Sequence, residues 1–269
     1  MLQVQDSFTD ISRPSAGRIY DYLLGGSHNF DIDRQSAEQL VQLIPFLPKG
    51  MRLQRWCLQD LALNLTEKRG MDVIIDYGSG LPTMENLHSS VAPGATVIYS
   101  DSDPIVVEYA NEILKEVPNA YYFLADARHP EDLLGRPEVQ EILNGRTNVG
   151  QICWGVSAFL EDEDIRNMAQ VLYAKTGPKS VWAFNAQGAN GNPNDPYVMK
   201  LLSIYKQTGT PFHLRTIDQY IELVKPWHPE NGSFIPLIEW NGFDQSLMTA
   251  DDLNGAGPGG GGYGAYLLK

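Results

Sequence analysis

The stretch DVIIDYGSGLPT at residues 72–83 decides how this chain folds. A β-branched run ends at Asp76, two glycines follow at Gly78 and Gly80, and a helix is predicted over 82–92. Glycine allows the backbone to turn tightly and a ligand to approach it closely. A strand, a glycine-rich turn and a helix in this order predict the first unit of a doubly wound sheet, with a ligand at the turn.

The rest of the chain repeats this alternation. Further strand-like runs occur at 95–101, 120–126, 148–154 and 179–185. Between them the pattern predicts helices over 104–117, 137–144 and 162–176. Apolar runs that alternate with helices are typical of a parallel sheet covered on both faces.

The C-terminal part of the chain changes character. Helices are predicted around 195–207 and 216–224, and two strands follow at 233–240 and 262–269. No clear helix separates these strands, so we expect an antiparallel hairpin at the sheet edge. The predicted fold class is α/β, with a doubly wound, mostly parallel seven-stranded sheet that is Rossmann-like and has the strand order of class I methyltransferases.

Residues 1–71 are predicted to form a mostly helical N-terminal cap on one compact domain, residues 72–269. Pro14 suits the start of a first helix, and a third helix is predicted over 51–68. Asp33 is predicted to be the N-cap of the second helix.

The charge of the chain limits its partners. The chain has 20 basic and 33 acidic residues, a formal net charge of −13. Enzymes that act on nucleic acids normally carry a basic face, and no run of Lys or Arg occurs here. We therefore expect no nucleic-acid partner and favour a small-molecule substrate that is neutral or cationic. A homo-oligomer is possible, but no feature indicates one.

The apolar pattern indicates a cytoplasmic protein. No stretch of about 18 apolar residues is present, which predicts no membrane span. The N-terminus lacks a basic region followed by an apolar run, so no secretory signal is predicted. Cys57 and Cys153 occur in apolar surroundings and are predicted to be buried, and no Cys/His cluster suggests a metal.

Acidic residues follow the first three predicted strands: Asp76, Asp101 and Asp126. Asp101 lies 23 residues beyond Gly78, where a carboxylate can accept the hydroxyls of a ribose. Asp126 closes the third strand, where methyltransferases often place an acid that faces an adenine amino group. The alternative is that Asp101 and Asp103 only cap the helix that follows them.

The glycine pattern and the acids also bear on a nicotinamide cofactor. A dinucleotide site requires G-x-G-x-x-G, and here Thr83, after Pro82, stands in place of the third glycine. Four carboxylates at one sheet edge, Asp103 included, would repel a pyrophosphate but favour a ligand with an ammonium and a sulfonium. S-adenosylmethionine (SAM) has both groups, so SAM is the predicted cofactor.

Four segments resemble a known family, the S-adenosyl methyltransferases that are abundant in actinobacteria and were long classed as a domain of unknown function. They are IDYGSGLPTMENLH at 75–88, VIYSDSDPIVV at 97–107, LADARHPEDLL at 124–134, and PSAGRIYDYLLGG at 14–26 with Asn29-Phe30 and Asp33-Arg34 after it. The resemblance implies a class I fold and a SAM-dependent methyltransferase. It does not imply a known methyl acceptor.

The chain departs from this family after its fourth and fifth strands. The family usually has Leu-His-Phe after the fourth strand, and Ala158 stands where this histidine would be. After the fifth strand the family often has Ser-His, and this chain has Asn185-Ala186. If these histidines act on the acceptor in the family, we expect this protein to methylate a different acceptor or none.

The N-terminal motif mixes aromatic, acidic and glycine residues, a composition that suits a lid across the methionine part of SAM. The alternative is a helix with Tyr20 and Leu24 in the core and a plain glycine C-cap. The predicted cofactor-binding residues are Tyr20, Asp21, Gly25, Gly26, Asn29, Asp76, Gly78, Ser79, Gly80, Pro82, Thr83, Asp101, Ser102, Asp103, Asp126 and Ala127.

No catalytic residue is identified from the sequence. His28 and Asp31 are candidates for a general base, which an oxygen acceptor or a weakly acidic nitrogen acceptor would need. Two other functions remain open at this point. One is a non-catalytic SAM sensor or partner subunit, and the other is a nicotinamide-dependent oxidoreductase, which Thr83 and the late hairpin disfavour.

Overall fold

Five parallel strands form the centre of the structure, a computed structural model that describes residues 13–83, 86–207, 212–242, 249–250 and 262–269. The strands are β1 (Val73–Tyr77), β2 (Thr96–Asp101), β3 (Ala120–Leu124), β4 (Gly150–Cys153), β5 (Val181–Ala186), β6 (His228–Pro229), β7 (Ile235–Pro236) and β8 (Tyr263–Leu268). Their order is β3-β2-β1-β4-β5-β8-β6, with β7 also paired to β8. The predicted doubly wound, mostly parallel α/β sheet is confirmed, although it has eight strands among the described residues instead of the predicted seven, because two short strands pair with β8.

The late strands differ in detail from the prediction. β8 is antiparallel to β5, and β6 and β7 both pair with its other edge. The strand predicted over 233–240 is wrong in length, because β7 has two residues and a 3₁₀ turn follows from Leu237 to Gly242. Pro229 and Pro236 close β6 and β7, since proline has no N–H for the ladder.

The helices are α1 (Ala16–Leu23), α2 (Asp31–Leu43), α3 (Leu47–Leu63), α4 (Pro104–Ile113), α5 (Pro130–Leu134), α6 (Pro137–Leu143), α7 (Asp162–Lys175), α8 (Pro196–Gln207) and α9 (Ile217–Leu223). A π-helical turn, Asn64–Lys68, extends α3. None of the helices within the described ranges is long and apolar enough to cross a bilayer.

The helix predicted over 82–92 is wrong for the residues that the structure describes there. They contain one short 3₁₀ turn, Leu87–Ser89, and the side chain of Asn86 accepts a hydrogen bond from the N–H of Leu87. Such a local side-chain bond competes with a helix. α3 covers this face of the sheet instead, because its Leu53 and Leu61 share one buried cluster with Leu87.

Strand residues alternate between the two faces. Ile74 belongs to the cluster under α3 and α4, whereas Ile75 belongs to the opposite cluster, which α5, α6, α7 and α9 cover. This alternation is the period-two geometry of a strand buried on both sides. A third cluster joins α1 and α2 to α8 through Ile19, Leu40 and Ile204.

Two helix starts in the N-terminal segment differ from the prediction. Asp33 is not the N-cap of α2, because Phe30 holds that position and the Asp33 carboxylate accepts from its N–H at 2.9 Å. α3 begins at Leu47 rather than at 51, since Pro48 suits the first turn of a helix, where its missing N–H is not needed.

One buried arginine connects this segment to the sheet. Arg18 of α1 is 2% exposed, and its Nε lies 2.8 Å from the Oδ2 of Asp33. Its Nη1 lies 3.0 Å from the Oδ2 of Asp103, which precedes α4. Two helices and the turn after β2 are therefore held by one guanidinium.

We expect Arg18→Ala to lower the free energy of unfolding by about 3–5 kcal/mol, because it leaves the buried Asp33 carboxylate without its cation. Arg166→Ala is the control, since Arg166 forms only surface pairs on α7, and it should cost less than about 1 kcal/mol. Denaturant unfolding measures both values, and equal small losses would contradict this account.

Candidate active site

A cavity of about 1520 Å³ lies at the carboxyl ends of the parallel strands. Pockets for one drug-sized ligand measure roughly 300–1,000 Å³, so this cavity has room for two molecules side by side. The cavity spans the junction of β1 and β4, where the strand order reverses. Ligands of open α/β sheets bind at this switch point.

The turn after β1 forms the floor of the cavity. Gly78 and Gly80 have φ values of +66° and +62°, which favour glycine. A Cβ on Gly78 would lie 2.8 Å from a methyl group of Val156, and one on Gly80 would meet no protein atom within 4 Å. The turn therefore packs closely against the loop after β4, while the space above Gly80 stays open for a ligand.

Asp76 is 3% exposed at the end of β1 and lines the cavity. Burial raises the pKa of Asp76 to about 7, although Ser79 and the charge of Arg55 lower it in part. The neighbouring charge of Asp101 raises it further. A cationic ligand group next to Asp76 would favour its ionised form.

Asp101 connects the first two turns. Its Oδ2 accepts from the N–H of Gly80 at 3.0 Å, and its Oδ1 accepts from the N–H of Asp103 at 2.9 Å. Burial raises the pKa of Asp101, although these backbone bonds lower it in part. The side chain that caps α4 is Asp103, which accepts from the N–H of Ile105, so the capping alternative describes Asp103 rather than Asp101.

Asp126 lies two residues after the end of β3 and is paired with Arg128, with its Oδ2 2.9 Å from the arginine Nε. Burial alone would raise the pKa of Asp126, but the hydrogen bonds and charge of Arg128 outweigh it, and the pKa is lowered. Arg128 also lines the cavity. The sequence analysis did not select Arg128, although it stands two residues after Asp126.

The structure brings together most of the residues that were predicted to hold the cofactor. Those that line the cavity are Tyr20, Asp76, Gly78, Ser79, Gly80, Asp101, Ser102, Asp103, Asp126 and Ala127. The others lie outside the cavity wall: Asp21, Gly25, Gly26, Asn29, Pro82 and Thr83. These six belong to the N-terminal motif and to the loop after Leu81.

Asp21 organises this outer group. Its buried carboxylate accepts from the N–H of His28 and from the side chains of Asn29 and Thr83, at 2.9, 2.9 and 3.2 Å. A Cβ on Gly26 would lie 2.1 Å from one carboxylate oxygen, so only glycine fits there. The network fixes the turn after α1 and ties it to the β1 loop, and α1 then presents Tyr20 to the cavity.

The candidate bases His28 and Asp31 both lie away from the cavity. The His28 ring packs edge-on against Tyr109 at 5.2 Å, and the Asp31 side chain is 87% exposed and pairs with Arg34. None of the five histidines lines the cavity. The geometry therefore offers carboxylates, rather than imidazoles, as proton acceptors.

At the two positions where the chain departs from the family pattern, the residues make contacts that hold the fold together. Ala158 is fully buried, and its carbonyl oxygen accepts from the N–H of His213 at 2.7 Å. The Asn185 side chain accepts from the N–H of Gly155 and donates to the carbonyl oxygen of Tyr263. Asn185 thus links the loop after β4 to β8.

One part of the cavity wall was missed by the sequence analysis. It consists of residues 42–47, the loop 187–192, side chains of α8, Phe212 and Leu214, which are far apart in the chain. The available signal was the glycine- and asparagine-rich run AQGANGNPND at 186–195, directly after β5. Loops after strand ends commonly carry binding residues.

A glycine turn after β1 and carboxylates after β1, β2 and β3, on a sheet of this order, define a class I SAM-dependent methyltransferase fold. The chain belongs to the S-adenosyl methyltransferase family, whose model matches residues 3–252. The resemblance seen in the sequence is confirmed, and so are the enzyme class and SAM as the cofactor. This decides against a nicotinamide-dependent oxidoreductase.

Solved structures agree with this assignment. A candidate methyltransferase from Thermobifida fusca YX is 26% identical, with a TM-score of 0.86 and 99% of each chain covered. A DUF574 family protein from Streptomyces avermitilis MA-4680 is also 26% identical, with a TM-score of 0.85, over 97% of this chain and 99% of that one. The mitomycin 7-O-methyltransferase MmcR shares the fold, with a TM-score of 0.50 and 13% identity, over 94% of this chain and 67% of that one. No curated protein matches the chain in sequence.

We expect Asp76→Asn to stabilise the ligand-free protein at pH 7.5 by roughly 1–3 kcal/mol. The pKa of Asp76 is about 7 in the folded protein and about 3.9 in an unfolded chain, so the folded state retains a proton that the unfolded state has lost. Stability therefore falls as the pH rises from about 4 to 7, and the amide removes this loss.

Denaturant unfolding of both proteins at pH 5 and pH 7.5 tests this expectation. Asp72→Asn is the matched control, because Asp72 is an exposed residue just before β1 and its change should have little effect. If Asp76→Asn is less stable than wild type at pH 7.5, the expectation is contradicted. Contacts within the protein would then stabilise the ionised Asp76 carboxylate.

Proposed function

We propose that this enzyme methylates a small-molecule acceptor that binds beside SAM in the same cavity. The observation that carries the proposal is the size and continuity of the cavity, which extends from the turn after β1 to the loop after β5. The negative charge of the chain supports a small acceptor over a nucleic acid.

The residues on the β1–β3 side fit SAM by their chemistry. Asp101 is the proposed acceptor for the ribose hydroxyls, and Asp126 faces the adenine amino group. Asp76 and the turn at Gly78–Gly80 are assigned to the methionine part, because a buried carboxylate stabilises a nearby ammonium and sulfonium. Bound SAM supplies a methyl group that is already activated by its sulfonium.

The protein's contribution is to align the acceptor, to exclude water and to accept a proton where the acceptor carries one. No imidazole lines the cavity, so a proton would pass to a lining carboxylate or to solvent. An acceptor with a free electron pair at neutral pH needs no base. This enzyme is therefore suited to acceptors that are nucleophilic before they bind.

We also propose that residues 14–34 act as a lid within the 1–71 cap over the 72–269 domain. α1 contributes Gly17, Ile19 and Tyr20 to the cavity wall, and the ion pair of Arg18 with Asp103 anchors it beside the proposed ribose site. Backbone amides of 18–30 should exchange more slowly with solvent when S-adenosylhomocysteine is bound. Unchanged exchange would contradict the lid.

We expect Asp101→Ala to weaken SAM binding by about 1.5–3 kcal/mol, the range for hydrogen bonds to a charged group. Asp31→Ala is the control, since Asp31 is exposed and outside the cavity, and it should bind SAM like wild type. Calorimetry with SAM, S-adenosylhomocysteine and NAD measures the effect. Binding of NAD alone would contradict the proposed site.

The acceptor class is tested with isotope-labelled SAM and a deproteinised small-molecule extract of actinobacterial cells. We expect label to appear in a small molecule with wild type and Asp31→Ala, and to be strongly reduced with Asp101→Ala. Label that enters only added protein or nucleic acid would contradict a small-molecule acceptor.

A further inference from the structure

The cavity has a second compartment on the β4–β5 side, which we call the acceptor chamber. Its walls are residues 42–47 and 50–51 of the cap, the loop after β4, the loop 187–192, side chains of α8, Phe212 and Leu214. The carboxylates assigned to SAM lie across the switch point, after β1, β2 and β3. The chamber therefore adjoins the SAM side within one continuous cavity.

Three aromatic rings form one wall of the chamber. Phe159 lies edge-on to Phe212 at 5.5 Å and 5.3 Å from Tyr205, while Tyr205 stacks with Phe212 at 5.2 Å. All three rings are only partly buried and line the cavity. A Cβ on Gly188 would lie 2.6 Å from the Phe212 ring, so this glycine lets the ring rest against the backbone.

The rest of the wall near these rings is apolar. Phe46 and Leu47 contribute from the start of α3, Leu201 contributes from α8, and Leu214 contributes from the segment before α9. Burial raises the pKa of Tyr205 to about 12, so its phenol is uncharged at neutral pH. Partly exposed rings in an apolar wall are suited to stacking on another flat ring.

The charged groups at the chamber are all acidic. Glu161 and Asp164 stand at the start of α7, and Asp195 stands before α8. Each helix N-terminus offsets about half a unit of this charge, and His213, outside the wall, lies 3.3 Å from Glu161. These three acidic side chains line the chamber, and the charge of Asp164 also helps to raise the pKa of Arg128.

No cation faces the chamber among the residues that the structure describes. Arg128 is the one basic side chain in the described cavity wall, and it lies on the SAM side, paired with Asp126. The sequence outside the described ranges contains no Lys, Arg or His. An anionic acceptor would therefore meet carboxylates rather than basic side chains in the chamber wall, and like charges placed together weaken binding.

We propose that the methyl acceptor is an uncharged or cationic molecule with an aromatic ring, and that this ring binds against Phe159, Tyr205 and Phe212. The inference rests on the proposed function, because it assigns this chamber to the acceptor. It adds the class of the acceptor and the residues that select it. Anionic aromatic acids are excluded as substrates.

The test uses three naphthalenes that differ in one substituent: a hydroxyl, an aminomethyl group that is cationic at neutral pH, and a carboxylate. Each is titrated into the full chain saturated with S-adenosylhomocysteine, and binding is followed by calorimetry. We expect the hydroxyl and aminomethyl compounds to bind at least about tenfold more tightly than the carboxylate.

Variants locate the binding site. Phe159→Ala and Phe212→Leu should each weaken naphthol binding by about two- to tenfold, as expected for the loss of one ring contact. Tyr121→Ala is the control, because Tyr121 is an aromatic residue of β3 that is 40% exposed and outside the cavity. The affinity for S-adenosylhomocysteine should stay unchanged in all three variants, which also shows that they are folded.

The outcomes separate the two proposals. Carboxylate binding as tight as that of naphthol, no binding of any naphthalene, or naphthol affinity unchanged in both ring variants would each overturn the acceptor class. Failure of the wild-type chain to bind S-adenosylhomocysteine would instead overturn the placement of the cofactor in this cavity.

Discussion

Negative charge buried at the ends of the parallel strands is the constraint on which the rest of the structure depends. Asp101 is held by two backbone N–H groups, one from the turn after β1 and one from Asp103. Asp103 bonds to Arg18, and Arg18 bonds to Asp33 of α2. A carboxylate of the cavity wall is thus connected, through Asp103 and one arginine, to α1 and α2, which also contribute to that wall.

The buried carboxyls that suit a cationic ligand are costly to ionise in the empty protein. Asp76 and Asp101 are both carboxyls whose pKa burial raises, so the protein alone does not fully compensate their charge. A group that is costly to ionise in the empty protein gains most when a cationic ligand arrives. The contrast with Asp126 is informative, because Arg128 lowers its pKa and it is satisfied within the chain.

Most of the site residues that the sequence predicted lie directly beside predicted strand ends along the chain. The turn at Gly78–Gly80 and the acids after β2 and β3 follow strands directly, and parallel strands bring their carboxyl ends to one edge. The chamber escaped prediction because Phe159, Tyr205 and Phe212 meet only after α7 and α8 have packed. The same applies to Asp21, whose role depends on Thr83 in a distant loop.

Two errors in the fold prediction have causes that the local apolar pattern does not contain. The helix expected after β1 is replaced because α3, from the N-terminal segment, already covers that face. The strand predicted over 233–240 is interrupted because Pro236 cannot continue a ladder. In these two places tertiary contacts and proline chemistry, rather than the local sequence pattern, decided the backbone.

The central claim is that one cavity holds SAM on its β1–β3 side and leaves the aromatic chamber for the acceptor. A crystal structure with S-adenosylhomocysteine tests it most directly. The account predicts ribose hydroxyls within hydrogen-bonding distance of the Asp101 carboxylate and no part of the ligand against Phe159 or Phe212. A ligand that fills the aromatic chamber, or that leaves Asp101 without a ribose contact, would contradict it.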